Sequence, residues 1–167
     1  MNARRGLLLA AAVVVLDQLT KAWIVATFPY GSERTVIPGL FDLVHTRNRG
    51  IAFGLLGSSG QAVQIALLVV VIGVVAFLAR QLWRNGHDGF AAFGLSLVLG
   101  GAVGNLVDRL ARGEVVDFLD AYVTVGGMER HWPAFNVADA SISIGAGCVI
   151  LAELLAAARA KRAPRPD

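Results

Sequence analysis

A membrane protein of the all-α class, with four transmembrane helices and a small extracytoplasmic β-sheet, is the fold this sequence predicts. Three observations lead there. Of the 167 residues, 56% are hydrophobic and the mean hydropathy is +0.63, more than a water-soluble chain of this length normally carries. Only 16% are charged, and these gather at the ends of apolar stretches instead of along helical faces. Four of those stretches are long enough to cross a bilayer.

The first expected span is Gly6 to Phe28, apolar except for Asp17, Gln18, Thr20, Lys21 and Thr27; at about 1.5 Å per residue it covers roughly 35 Å. Arg4 and Arg5 before an apolar run also resemble a secretory leader. The apolar character resumes after Lys21 and no A-x-A site follows, which favours a retained span. Between about Gly31 and Gly57 the chain carries Pro38, several glycines and β-branched or aromatic pieces, Thr35 to Ile37 and Leu40 to Val44, which suggest a small sheet outside the lipid core. The second span is expected from Gln61 to Trp83 and the third from Phe90 to Leu110. A second long connection, Ala111 to Phe135, has a turn signal at Gly126-Gly127 and a helix-breaking Pro133, and is expected to lie beside the first. The fourth span runs from Asn136 to Ala158. Gly100 with Gly104, and Ser141 with Gly145, have the small-residue spacing that lets helices approach closely. The whole chain, residues 1–167, reads as one membrane-embedded domain with outer segments at about 31–57 and 111–135.

Orientation follows from the basic residues. Arg4, Arg5, Arg80, Arg84, Arg159, Lys161, Arg162 and Arg165 fall on one side of a four-span chain, so both termini are expected in the cytoplasm. Arg34, Arg47, Arg49, Arg109, Arg112 and Arg130 lie opposite, diluted over longer loops. The net charge of +3 is thus read as a record of topology, with no nucleic-acid partner. A lone Cys148 and three scattered histidines provide neither a disulfide framework nor a zinc-peptidase motif, so no metal or other cofactor is expected.

Ionisable groups within or beside a span cost several kcal/mol, so each is a functional candidate until a partner is found. Asp17 and Lys21, spaced i, i+4, can neutralise each other as a structural pair. Asn105 and Asp108 share a helix face beside Arg109, suited equally to structural pairing and to positioning a substrate. Asp117 sits among apolar neighbours, where burial raises a carboxyl pKa, although a solvated loop acid has the same sequence. Asn136 has the place of an N-cap with Asp139 at N3, a capping arrangement that has a purely structural account. Topology links the last two: the chain leaves the third span, passes Asp117 and re-enters at Asn136, so both acids belong to one membrane face. Two carboxyl groups brought together share a proton, one acting as base and the other as acid. Peptide hydrolysis needs that division of labour.

Five segments in order, Asp17-Gln18-Leu19-Thr20-Lys21, Asn48-Arg49-Gly50-Ile51-Ala52-Phe53, Gly104-Asn105-Leu106-Val107-Asp108-Arg109, Val116-Asp117-Phe118 and Phe135-Asn136-Val137-Ala138-Asp139, resemble the motifs of the lipoprotein signal peptidases, or signal peptidase II. The resemblance spans nearly the whole chain. It implies an aspartic endopeptidase of the bacterial cytoplasmic membrane that removes the signal peptide of diacylglyceryl-modified prolipoproteins just before the lipidated cysteine, at the outer face. It selects Asp117 and Asp139 as the catalytic pair, Asn48, Gly50, Asn105, Arg109 and Asn136 as substrate-binding residues, and Asp17, Lys21 and Asp108 as supporting ones. It also implies a small extracytoplasmic sheet, called a cradle, and a monomer surrounded by membrane lipid.

Other readings remain at this level. Lys21 as a base for Ser141 would make a Ser/Lys peptidase. Intramembrane acids also mark transporters or proton-conducting subunits, which need them spread through the membrane depth. Glycine-lined helices also suit a noncatalytic assembly factor. Gly145-Ala146-Gly147-Cys148 faintly resembles a substrate's own lipobox, but lies late in the chain within a span.

Overall fold

In the computed structural model, residues 1–48, 61–84 and 89–162 are described. Four long helices, α1 (Ala3–Thr27), α2 (Gln61–Arg84), α3 (Gly89–Arg112) and α4 (Val137–Arg162), accompany four strands, β1 (Glu33–Ile37), β2 (Phe41–Asn48), β3 (Val115–Val125) and β4 (Met128–His131). Among the described residues, α1, α3 and α4 are long and apolar enough to cross a membrane, while the apolar part of α2 is the shorter run Leu68–Trp83. Large apolar side chains stand exposed along the helices, among them Leu8, Leu19, Val69, Phe77, Ile144 and Leu154. A helix that leaves such residues uncovered needs lipid against them.

Helix α3 lies in the middle, in contact with α1, α2 and α4. Its glycines allow this. A Cβ at Gly94 would come 2.7 Å from the Gly145 carbonyl oxygen, and one at Gly145 2.6 Å from that of Gly94, so α3 and α4 touch backbone to backbone. Gly100 packs in the same way on Ala10 and Val13 of α1, and Gly104 on the Asp17 carboxylate. The Gly100/Gly104 spacing therefore serves α1, and Gly145 finds its partner in Gly94. Below these contacts Ala10, Leu78, Leu82, Ala92 and Leu99 form an apolar core.

The sheet is antiparallel in the order β1-β2-β3-β4. Its first half comes from the connection where strands were expected, and its second half from the connection read from sequence only as a loop. The 11-residue β3 pairs with β2, with Thr46 opposite Asp117 and Asn48 opposite Val115. Gly126 and Gly127, both at positive φ (61° and 75°), form the two-residue turn into β4, a conformation open to glycine without steric cost. Ile24 at the end of α1, Val116 and Phe118 make a second core that seats the sheet on the helices. The Phe135 carbonyl accepts from the amides of Phe118 (2.9 Å) and Leu119 (2.8 Å), and the Phe135 amide donates to the Leu119 carbonyl (3.0 Å). That junction fixes where α4 begins relative to β3.

Candidate active site

Lys21 is wholly buried, with its ammonium group 2.9 Å from Asp17 Oδ2 and 2.9 Å from Asp108 Oδ2, and it donates to Asn105 Oδ1 at 3.0 Å. Three N–H donors thus meet three acceptors. Asp17 and Asp108 are also at 0% exposure, and each has a second task. Asp17 Oδ1 accepts from the Ala138 amide (2.9 Å) in the first turn of α4, where a carboxylate also opposes the helix dipole. Asp108 Oδ2 accepts from the Val116 amide (3.2 Å) at the start of β3. Gln18 joins Asp17, Asp108 and the Gly104 carbonyl, each at 3.1 Å, and Arg112 pairs with Asp108 Oδ1. The charged group that α1 and α3 enclose is therefore tied directly to the two segments that carry Asp117 and Asp139.

Two asparagines complete the connection. Asn136 is fully buried and caps α4, its Oδ1 accepting from the Asp139 amide at 2.9 Å, the N-cap geometry the sequence suggests. Its amide nitrogen donates to Asp117 Oδ1 at 2.7 Å and to the Val116 carbonyl at 3.3 Å. Asn105, from α3, donates to Asp139 Oδ1 at 2.7 Å while its own oxygen receives Lys21. Asp139 is thus oriented by the Asn105 amide and Asp117 by that of Asn136, and each amide is itself oriented by a neighbouring group.

Asp117 and Asp139 line one cavity of about 460 Å³ together with Asn48, Asn105 and Arg109. Val115, Trp132 to Phe135, Ala140 and Ile142 to Ile144 supply the rest of the wall, which is largely apolar, as ligand sites commonly are. Arg109 donates to the Asn105 carbonyl at 3.2 Å and brings a positive charge to the same wall. Burial pushes the Asp117 carboxyl up to about 7, and the charge of Asp139 adds to that rise; hydrogen bonds from Asn136 and Asn48 and the charge of Lys21 pull it back. Near neutral pH such a group readily gains or loses a proton.

Of the substrate-binding candidates, Asn48, Asn105 and Arg109 line the cavity, whereas Asn136 stands behind Asp117 and supports it from within the protein. Gly50 lies outside the described residues, as does the Arg49 to Phe53 part of its motif. The supporting candidates Asp17, Lys21 and Asp108 form one cluster, and its members Gln18 and Arg112 were not singled out from sequence. The i, i+4 spacing of Asp108 and Arg112 was available as a signal, and so was the polar Gln18 within an apolar span and a family motif. The three acceptors around Lys21 oppose its use as a base for Ser141, since a base must first give up the proton that those acceptors hold. Cys148 is an interior residue of α4, and within its lipobox-like surroundings Gly145 and Cys148 pack against Gly94 of α3.

The chain matches known proteins along almost its whole length. Residues 9–155 match the family described as signal peptidase (SPase) II. A lipoprotein signal peptidase from Syntrophotalea carbinolica is 45% identical over 149 residues, covering 88% of this chain and 89% of that protein. One from Cupriavidus necator is 48% identical over 147 residues, covering 87% and 80%. Among solved structures, a bacterial membrane enzyme determined by the in meso method at 2.3 Å resolution superposes with a TM-score of 0.82 at 32% identity, covering 97% of this chain and 94% of that one. With a family match over most of its length and relatives of this identity, the chain belongs to the signal peptidase II family.

Proposed function

We propose that this protein is an aspartic endopeptidase of the bacterial inner membrane that removes the signal peptide from diacylglyceryl-modified prolipoproteins, cutting just before the lipidated cysteine. Family membership supports the substrate class, since the similar proteins are lipoprotein signal peptidases. The observation that carries the mechanism is the pair Asp117 and Asp139 on one cavity wall, each fixed by an asparagine amide.

The proposed chemistry needs only this pair and a water molecule. Asp117 and Asp139 hold one proton between them. The ionised carboxylate takes a proton from water as the water oxygen bonds to the scissile carbonyl carbon, and the protonated partner donates its hydrogen bond to the carbonyl oxygen. The tetrahedral intermediate then collapses: the C–N bond breaks, the leaving nitrogen takes a proton from the pair, and the new carboxyl group departs with the signal peptide. Arg109 and Asn48, on the same wall, hold the backbone of the substrate. In this reading α2 is a fourth span, both termini face the cytoplasm, the sheet lies on the outer side, and the monomer acts in contact with lipid.

The substrate class is tested with purified full-length protein in lipid, given a prolipopeptide with or without its diacylglyceryl group and analysed by mass spectrometry. The expected product begins at the lipidated cysteine, forms with or without a chelator, and is absent for the unlipidated peptide. A cut elsewhere, or equal cutting of the bare peptide, contradicts the proposal.

A further inference from the structure

Away from the cavity, one face of the sheet bears a row of titratable side chains, one from each strand. Glu33 of β1 pairs with Val44, two residues along β2 from Asp42, and the Asp42 carboxyl beside it raises that of Glu33; Asp42 stands directly opposite Asp120 of β3; and His131 of β4 places Nδ1 2.8 Å from Asp120 Oδ2. Glu129 Oε2 is 3.6 Å from His131 Nε2, and the Tyr122 ring stacks on the imidazole with centroids 4.8 Å apart. Asp42 and Asp120 are buried, and Oδ1 of each meets no hydrogen-bond donor.

Two physical requirements follow. Two carboxyl groups make a hydrogen bond only when one of them keeps its proton, because an ionised carboxylate is an acceptor alone. Two acids directly opposite on neighbouring strands destabilise the pairing as like charges unless a proton or a cation intervenes. A proton held by one of the acids or by the adjoining imidazole satisfies both requirements, and the His131 ring lies 2.8 Å from Asp120.

We propose that Glu33, Asp42, Asp120 and His131 form a proton-operated clasp across the sheet: one proton held between Glu33 and Asp42, and another on the His131 imidazole bonded to Asp120, tie the strands together, and the clasp opens as they leave. The Asp42 carboxyl raises that of Glu33 above its ordinary value, and the hydrogen bond to Asp120 raises the His131 imidazole. Both groups are raised in the folded chain, so their contribution is complete below their unfolded values and is lost as pH climbs through the folded ones. The consequence reaches the cavity through the backbone. Asp120 lies three residues beyond Asp117 on β3, and β2, which the clasp holds against β3, ends at Asn48.

The clasp stands or falls independently of the proposed peptidase chemistry, because its test reads the sheet and not the reaction. Backbone amide exchange of residues 115–125 is measured by mass spectrometry on full-length protein in detergent, well below and well above the ordinary imidazole range, corrected for intrinsic exchange chemistry and referenced to α1. Wild type is expected to exchange several-fold faster in β3 at the higher pH. Glu33→Gln and His131→Gln, whose amides donate to Asp42 and Asp120 at every pH, are expected to flatten that dependence. Both positions are exposed, so the fold tolerates the change. A pH-independent wild type, or variants that keep the wild-type dependence, overturns the proposal.

Discussion

Asn105 and Asn136 donate to Asp139 and Asp117 at the same distance, 2.7 Å, and that orientation matters more than the acids' mere presence. A free carboxyl rotates; one held by an amide keeps a fixed orientation. Asp117 bears a testable thermodynamic sign. Its folded value is pushed from 3.8 to about 7, so the native state binds a proton that the unfolded chain releases. Its contribution to stability is therefore present below about pH 4 and lost as pH rises through about 7. Asp117→Asn removes that loss. The unfolding midpoint of wild type in detergent should fall between mildly acidic and mildly alkaline pH, and the variant should fall distinctly less; equal falls would contradict the burial argument. Asp139 was legible in the sequence as an N3 acid, but the sequence did not show that Asn105 of another helix takes its side chain.

At the scale of elements, the order of charged motifs was readable and their joining was not. The i, i+4 spacing of Asp17 and Lys21 announced a pair within α1. That Asp108 completes it depends on Gly104 letting α3 settle onto Asp17, a tertiary fact with no local signature. The helices themselves were legible because apolar runs are long. Strand β3 was missed as a strand because Asp117 and Asp120 interrupt its apolar pattern, and each acquires its partner from outside the strand, Asn136 for Asp117 and His131 for Asp120. Lys21→Met is the informative change here. It keeps the bulk of the side chain and leaves Asp17 and Asp108 facing each other in a buried site, which should cost about 3–5 kcal/mol. A sharply lowered unfolding midpoint with loss of activity is expected, and restoration is expected for Lys21→Arg only in part, since its planar fork fits the three acceptors poorly. A Lys21→Met protein of wild-type stability would show that the cluster does not hold the segments.

For the whole molecule, α3 acts as the central post, α1 supplies the buried charges, and β3 and α4 deliver one acid each to a shared wall. The apolar surplus that predicted a membrane protein is what surrounds this polar core with lipid-facing surface. Low dielectric around the cluster strengthens its ion pairs and makes any unpaired member costly. The same surroundings keep the Asp117 carboxyl protonatable near neutral pH. The sheet was anticipated from its first two strands; joining them to the β3–β4 hairpin depends on pairing β2 with β3, about 70 residues apart, beyond the reach of local pattern.

The most direct test of the account compares cleavage of a diacylated prolipopeptide by wild type, Asp117→Asn and Asp139→Asn in lipid, with folding checked by unfolding midpoint. Each variant should lose cleavage by about 10²–10⁴-fold, the contribution of a positioned acid or base, while remaining folded. A folded variant of either kind that cleaves at the wild-type rate would show that the two carboxyl groups do not perform the reaction together.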